Sequence, residues 1–536
     1  MAGLYKTPGV YIVEKDAFPS SIVEVATAVP AFIGYTEFAN NNGKSLHNKP
    51  WRISSMAEFV KYFGGPPPAT FKISRRASGA PDGAPAADEA TQALRDAVAA
   101  ITAQDKSPDF FGGAEHDFAL DLNNNFYLTL DGQYFLLYRS MMLFFQNGGG
   151  PCYIVSVGNY QSEIKEADLG LGIEQLKKEQ EPTLLVIPEA VALAEDDCFK
   201  LQQTMFSHCG YEMKNRFAII DVYSGFQDNR DNQCIDNFRN KFSSNFAAFG
   251  AVYYPWVNAS VVPLSELSFR NIHSESIDDF VNLLTLDALN RYPAPKKQQS
   301  VIDEINKLKD LAQLNEADAD QLHKTLNVIL PLYSKILEGA QRKLNLLPPS
   351  AAMAGIYSMV DNARGVWKAP ANVSLNAVVS PTVSISHEEQ EDLNVNTAGK
   401  SINAIRSFIG EGTLVWGART LDGNSLDWRY INVRRTMIML EESVKLAIKA
   451  YVFEPNVSST WVTLKSMISN FLTNIWKRGG LAGAVPEDAF SVHVGLGETM
   501  TPEDILEGML RITVLVALSR PAEFIEITFQ QQMQKS

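Results

Sequence analysis

Three residues near the N-terminus have the types that end a phosphate-binding loop. They are Gly43, Lys44 and Ser45, and such a loop also needs a glycine five positions upstream and a helix directly downstream. The upstream position is Phe38, and residues 46–50 do not open a helix whose first amides would hold a phosphate. Nucleotide binding is therefore not predicted at this segment.

A second fragment begins like the helix of a zinc peptidase. His387 and Glu388 start that pattern, but Glu391 stands where the second zinc-binding histidine belongs, so residues 387–391 are predicted to form a solvated acidic loop. The histidines are scattered singly, and His208 beside Cys209 has no nearby partner that completes a ligand set. No metal site is predicted.

Signatures of covalent catalysis are also missing from the sequence. Gly-x-Ser-x-Gly, the commonest serine hydrolase signature, does not occur. Carboxylates are plentiful, but without a template no pair can be assigned as general acid and general base. The sequence therefore predicts no catalytic residue and no cofactor.

Composition limits the class of protein and its partners. The 536 residues are 46% hydrophobic and 20% charged, which is typical of a globular chain. The 47 Lys and Arg residues against 61 Asp and Glu residues give a formal net charge of -14. Binding to a phosphate backbone requires clustered basic side chains. Nucleic acid is therefore not an expected partner.

Cysteine usage and hydropathy indicate the compartment. The four cysteines are too few for a disulfide framework, and no two are spaced as in a zinc knuckle or a redox motif. We expect reduced thiols, no signal peptide and no membrane span, since the longest apolar runs are far too short. A soluble chain folded in a cytoplasm is predicted.

Positive charge is concentrated in one part of the acidic chain. Residues 429–478 contain eight basic and three acidic residues. The surplus indicates either a surface for an acidic partner or a solvated helix face with pairs such as Glu441 and Lys445. The residues proposed for a partner contact are Lys445, Lys449, Lys465, Lys477 and Arg478.

The middle of the chain alternates in a way that is typical of α/β proteins. Apolar runs at 29–34, 153–157, 183–187, 217–222 and 251–257 are separated by helix-compatible segments, which predicts a largely parallel sheet. Residues 66–116 are rich in Pro, Ala and Gly and are predicted to be a surface excursion with one helix near 87–103. Residues 298–345 are predicted to be helical, with Pro331 kinking or splitting the second helix.

The last third has the pattern of an α+β region. Residues 414–419 and 428–433 are predicted to be two strands joined by a loop at Asp422, Gly423 and Asn424. One helix follows with Leu440 and Val444 on its apolar face. Another begins near residue 460, and its apolar stripe comprises Trp461, Leu464, Ile468, Phe471 and Ile475. Further predictions are a helix capped at Thr501 and a strand at 512–518.

Each end of the chain carries a short predicted strand outside the globular body. Such strands cannot stabilise themselves and suit addition to the edge of another chain's sheet. The N-terminal strand comprises Val10, Tyr11, Ile12, Val13 and Glu14, and the C-terminal strand includes Phe524, Ile525, Glu526, Ile527, Thr528 and Phe529.

The most distinctive strings of residues also lie toward the two ends. They include Pro8-Gly9-Val10-Tyr11-Ile12, Gly148-Gly149-Gly150-Pro151-Cys152-Tyr153, Arg364-Gly365-Val366-Trp367, Val415-Trp416-Gly417-Ala418-Arg419, Trp428-Arg429-Tyr430-Ile431-Asn432, Val452-Phe453-Glu454-Pro455-Asn456 and Pro521-Ala522-Glu523-Phe524. In this order they resemble the sheath proteins of contractile phage tails and related contractile injection systems. The resemblance covers about residues 1–65, 134–257 and 340–536.

The resemblance implies a structural protein without catalytic activity. It would polymerise helically around an inner tube and contract from a metastable extended state without nucleotide hydrolysis. The implied partners are further copies of the chain or sibling sheath proteins, the inner tube protein, and baseplate and terminal cap proteins, with no nucleic acid and no membrane insertion. The particle would be a phage tail or an extracellular or cell-anchored injection device.

The predicted organisation has four parts. Residues 1–28 and 519–536 are linking arms that add strands to neighbouring subunits. Residues 29–345 form an α/β region with insertions at about 66–116 and 258–335, and residues 346–518 form an α+β inner domain. The fold class is therefore α/β and α+β, multi-domain and tail-sheath-like. The alternatives are a baseplate or cap component that carries a sheath-like domain, or a soluble α/β enzyme.

Overall fold

The chain divides into two compact units in the computed structural model. The structure describes residues 22–76, 89–101, 103–104, 117–121 and 124–527. One of the two units, here called the sheet unit, comprises Ala28–Ala363 and Pro370–Ile431. The other, here called the helix-pair unit, includes residues 22–27, 364–369 and 432–527. The boundary predicted between residues 345 and 346 lies inside the sheet unit.

The sheet unit is built on a sheet that has nine strands in the described residues. In chain order the strands are β1 Pro30–Thr36, β2 Trp51–Ile53, β3 Cys152–Asn159, β4 Leu184–Val186, β5 Phe217–Asp221, β6 Gly250–Tyr254, β7 Val373–Ser374, β8 Asn403–Phe408 and β9 Gly412–Trp416. Across the sheet the order is β7-β9-β8-β6-β5-β4-β1-β3-β2.

The centre of this sheet is parallel, as its apolar runs predict. β1 pairs in parallel with β3 on one side and β4 on the other, and β4, β5, β6 and β8 continue in the same direction. All residues of β1, β4, β5 and β6 are buried. Strands covered on both faces need side chains that are apolar throughout, so the α/β prediction is confirmed.

One predicted strand pair is wrong. β9 pairs with β8 through a tight turn in which Gly410 and Gly412 have φ values of 84° and 83°, a conformation that favours glycine. Residues 428–433 do not pair with β9. Arg419 and Tyr430 form one isolated bridge, and a helix begins at Ile431.

Helices pack on the sheet and form most of the second predicted insertion, residues 258–335. Pro331 begins a new helix directly after Ile329 ends the previous one, which confirms the predicted break. The helices are Met56–Phe63, Glu89–Ala99, Leu137–Gln146, Glu166–Gln175, Glu195–Ser207, Asn229–Asn232, Cys234–Lys241, Ile277–Arg291, Pro295–Asn306, Glu316–Ile329, Pro331–Leu344, Ser350–Arg364 and His387–Asn394.

Smaller sheets complete the unit, and one of them was missed in the predicted surface excursion. Phe71–Arg76, Ala103–Gln104, Phe118–Asp121 and Asn124–Leu130 form a four-stranded sheet with Phe71 and Phe126 fully buried. The excursion is therefore partly a packed layer. Sequence patterns did not predict these strands because their alternation of apolar and polar residues extends over only a few positions. The remaining strands are Asn40–Asn41 with Lys44–Ser45, and Val257–Ala259 with Leu346–Leu347 and Val378–Pro381.

The helix-pair unit has a separate hydrophobic core. Helices Ile431–Ile448 and Ser458–Lys477 supply most of it. Of the predicted stripe residues, Leu464, Ile468, Phe471 and Ile475 are buried and Trp461 is half-buried. The remaining elements are helices Pro486–Ala489 and Pro502–Leu506 and strands Phe490–His493 and Thr513–Val516. The cap predicted at Thr501 is confirmed by a capping box with Asp504.

Among the described residues, no helix combines the length and apolar character that a membrane crossing needs.

Candidate assembly surfaces

The sheet unit has the crevice that α/β proteins commonly use for ligands. The chain runs from β1 to β3 and then crosses to β4 on the other side of β1, so the strand order reverses there. The crevice measures about 640 Å³ and is lined by residues from 130–134, 163–167 and 192–197.

The charges around this crevice oppose an anionic ligand. Helices Glu166–Gln175 and Glu195–Ser207 both begin beside it, and free helix N-termini attract phosphate. Their first turns instead carry carboxylates, which occupy the favourable end of each helix dipole and repel an anion. These are Glu166, Asp168, Glu195, Asp196 and Asp197.

A buried carboxyl group lies below the same edge of the sheet. Glu189 is fully buried, and the Leu137 backbone N–H donates to its Oε1 at 2.8 Å. Burial raises the pKa of Glu189 to about 7, against the lowering effect of nearby backbone N–H groups. The side chain connects the loop after β4 to the start of helix Leu137–Gln146, which is a structural role.

Glu189→Gln is expected to change how stability depends on pH. The folded chain keeps the Glu189 proton up to about pH 7, whereas the ordinary pKa is 4.5, so the free energy of unfolding falls as pH rises between these values. Over this interval the free energy of unfolding of the wild type should fall by on the order of 3 kcal/mol more than that of the variant. Urea unfolding of both monomers at pH 4.5 and 7.5 measures the difference, and Glu163→Gln at an exposed position is the control. Parallel curves for wild type and Glu189→Gln would contradict the assignment.

The two fragments that imitate metal motifs have other roles. Residues 387–391 begin helix His387–Asn394, capped by Ser386, so the predicted loop is wrong; a capping box with Glu389 explains the helix. His208 is buried and hydrogen-bonds Arg216 and Glu212. Within the described ranges, no group of three or more His, Cys, Asp or Glu residues could hold a metal ion.

The helix-pair unit presents an open sheet. Phe490–His493 and Thr513–Val516 pair antiparallel, and the described part of the chain adds no third strand to either edge. Val514 and Val516 pack on the core, while Leu515 on the other face is 57% exposed. Two strands alone are marginally stable, and open edges favour the addition of further strands.

The two predicted arm strands are at the two ends of the sequence. Val10, Tyr11, Ile12, Val13 and Glu14 are outside the described residues, as are Thr528 and Phe529. Residues 521–527 form no strand with the described part of the chain. Their apolar side chains are largely exposed, at 77% for Phe524, 78% for Ile525 and 69% for Ile527.

The candidate partner-contact residues do not form a single row. Lys445 forms an ion pair with Glu442 at 2.8 Å, and Lys449 is exposed in the following turn. Lys465 and Lys477 are both exposed on helix Ser458–Lys477. Helix geometry separates these two by about 18 Å along the axis and about 120° around it.

Arg478 has partners within its own unit. Its Nη1 is 2.5 Å from Glu24 Oε2, and its guanidinium lies 4.8 Å from the centre of the Trp367 ring. Arg434 and Arg435 in the same basic stretch are buried. The surplus of positive charge is therefore only partly available to a partner.

Sequence reasoning missed the side chains that hold the segment 22–27. The backbone N–H of Val25 donates to Ser443 Oγ at 3.1 Å, and Arg435 donates to the carbonyl of Thr27 at 3.0 Å. Two adjacent arginines within an apolar helix indicate buried acceptors, and this signal was available in the sequence.

Comparison with known proteins identifies relatives for most of the chain. Residues 424–532 match the family model described as the phage tail sheath C-terminal domain. The tail sheath protein of Vibrio phage KVP40 is 25% identical over 187 residues, which are 34% of this chain and 26% of that relative. The tail sheath protein of Enterobacteria phage T4 is 23% identical over 135 residues, which are 25% of this chain and 20% of that relative. These matches therefore span about a quarter of the curated relatives' length.

Solved structures match over nearly the whole chain. The sheath complex of PVC, an extracellular contractile injection system, in its contracted state has a TM-score of 0.58 and 26% identity, with 99% of each chain covered. The contracted helical sheath of the anti-feeding prophage has a TM-score of 0.55 and 27% identity, covering 99% of this chain and 100% of that one.

These relatives are structural sheath proteins and not enzymes, and the fold of this chain is similar to theirs. The comparisons confirm the resemblance to contractile tail sheath proteins that was found in its terminal strings.

Proposed function

We propose that the chain is the subunit of a sheath that polymerises helically around an inner tube. Contraction would proceed from a metastable extended lattice to a more stable one without nucleotide hydrolysis, as a transition between two packings of the same subunits. The observation that carries this proposal is the likeness to the contracted PVC sheath over 99% of both chains.

Strand exchange is the proposed connection between subunits. The open edges of Phe490–His493 and Thr513–Val516 would receive the arms of neighbouring copies, residues 10–14 from one and 524–529 from another. Each added strand of about five residues contributes about four backbone hydrogen bonds, net about 0.5–1.5 kcal/mol apiece. Subunits would thereby stay connected by flexible arms while their compact bodies move.

Further partners follow from the same proposal. They are the inner tube protein, a terminal cap and a baseplate, and sibling sheath proteins if several share the lattice. The particle is a phage tail or an extracellular or cell-anchored injection device that assembles in a bacterial cytoplasm. In this proposal residues 346–518 face the inner tube, and the insertions face away from it.

A second candidate role is that of a baseplate component. A chain in the baseplate structure of the anti-feeding prophage has a TM-score of 0.54 and 26% identity, covering 99% of this chain and 100% of that one. Open sheet edges at which every subunit can receive arms favour a repeating lattice member over this alternative.

Negative-stain electron microscopy of the purified chain tests the proposed function. We expect hollow tubes, either from the chain alone or after addition of the cognate tube protein. Compact particles under both conditions would contradict a sheath subunit, and closed rings without elongation would favour the baseplate role.

Charge reversal at Lys465 and Lys477 is expected to weaken co-assembly with the tube. Helix Ser458–Lys477 contains no acidic residue, so both lysines can attract an oppositely charged surface. The apparent affinity should fall about tenfold at low salt, with a smaller difference at high salt because exposed charges are screened. Co-sedimentation with tube protein at two salt concentrations measures this. Lys296→Glu, at an exposed position of helix Pro295–Asn306, is the matched control, and equal co-sedimentation of all three chains would remove these lysines from the tube contact.

A further inference from the structure

Residues 22–27 attach the N-terminal segment to the helix-pair unit. Ile22 is buried in the core of this unit, and Val25 packs against the same cluster. Backbone groups of Val25 and Thr27 are bound by Ser443 and Arg435 of helix Ile431–Ile448. This segment is here called the N-terminal root, because the N-terminal arm continues from it.

Arg478 binds a further residue of this root, Glu24. This arginine stands at the end of helix Ser458–Lys477, where a positive charge suits the helix dipole. Its guanidinium contacts Glu24 of the root at 2.5 Å and stacks on Trp367 at 4.8 Å. An ion pair combined with an aromatic contact limits the orientations of the arginine.

The C-terminal segment leaves from the same place. Ser519 Oγ donates to the carbonyl of Gly479 at 3.0 Å. Asn432 Nδ2 donates both to the carbonyl of Ser519 at 3.0 Å and to that of Trp367 at 2.9 Å. The N-terminal root and Ser519, here called the C-terminal root because the predicted C-terminal arm begins there, therefore meet at the end of helix Ser458–Lys477, around Trp367.

We propose that Arg478 is a positioning residue that fixes the direction in which the N-terminal arm leaves the subunit, and that it is not a contact to the tube. The proposal rests on the proposed function, in which the arm pairs with a neighbouring subunit. A fixed root reduces the conformations that the arm must lose on pairing. Because the C-terminal root is held at the same helix end, tension on one arm passes to the other through this junction.

Arg478→Ala and Lys477→Ala separate the two roles. Both variants remove one positive charge at neighbouring exposed positions, but only Arg478 contacts Glu24 and Trp367. In the full-length monomer, we expect Arg478→Ala to accelerate hydrogen exchange of peptide 22–27 at least tenfold and Lys477→Ala to leave it unchanged. Tube formation should fall several-fold only in Arg478→Ala, whereas binding to the tube protein should fall only in Lys477→Ala.

Two further chains make the result decisive. The charge-swapped variant Glu24→Arg/Arg478→Glu is expected to restore slow exchange and tube formation at least in part. If Arg478→Ala exchanges and assembles like Lys477→Ala, the positioning role is wrong. A chain lacking residues 1–21 serves as reference, because its normal assembly would refute strand exchange itself, whatever Arg478 does.

Discussion

A chain lacking residues 1–21 is expected to fold as a monomer and to form no tubes. The deletion removes the predicted N-terminal strand but keeps Ile22, which is buried in the core of the helix-pair unit. Every lattice contact would lose about four backbone hydrogen bonds, each worth about 0.5–1.5 kcal/mol, and the loss repeats at each subunit. Electron microscopy measures tube formation, and circular dichroism with sedimentation velocity verifies the folded monomer.

The choice of residue 21 as the last deleted position makes this experiment interpretable. Deletion of residues 1–28 also removes the bonds to Ser443, Arg435 and Arg478, so loss of tubes would then combine misfolding with loss of the arm. Ile12→Pro is the point-mutant counterpart, since proline removes one N–H donor from a strand. Tubes of wild-type length from the chain without residues 1–21 would refute the exchange of this arm.

Gly34→Ala is expected to destabilise the monomer by about 3 kcal/mol through overpacking of a buried site. A Cβ added to Gly34 would lie 2.5 Å from Glu189 Oε2 and 2.9 Å from two further carboxyl atoms. Glu189 cannot move away without losing its bond from Leu137, and the strand that carries Gly34 is buried throughout. Urea unfolding of the monomer measures the change.

Gly170→Ala is the matched control for this substitution. Gly170 lies in helix Glu166–Gln175, and its added Cβ would meet one atom, at 4.0 Å. Alanine in a helix interior should stabilise the unit by about 0.5–1 kcal/mol relative to glycine. Equal changes in the two variants would show that contact with Glu189 is not the cause.

Local patterns predicted much of the fold because the relevant interactions are close in sequence. The stripe of Trp461, Leu464, Ile468, Phe471 and Ile475 predicted a buried helix face; the last four side chains are buried and Trp461 is half-buried. The parallel strands followed from apolar runs that only a sheet covered on both sides can bury. Pro331 divided two helices because its ring cannot continue a helix from the preceding turn.

The wrong predictions have different causes. β9 pairs with β8 and not with residues 428–433, because two glycines with positive φ allow a tight turn on that side. The helix at His387 depended on the reciprocal bonds between Ser386 and Glu389, which the zinc-motif comparison overlooked. The prediction for Arg478 remains untested; it used charge alone, and its contacts with Glu24 and Trp367, each more than 100 residues away in sequence, could not be predicted from local patterns.

The positions of arm and receiving strands along the chain have a consequence for synthesis. The predicted arm at residues 10–14 leaves the ribosome about 480 residues before Phe490–His493, the first strand of the open sheet. At translation rates of about 5–20 residues per second, this interval lasts roughly 25 to 95 s. Under the proposed strand exchange, a nascent subunit would be able to donate its arm during that time but not to receive one. Ribosomes translating the same message would then carry chains that cannot crosslink each other, and polymerisation would be postponed until the last third has folded.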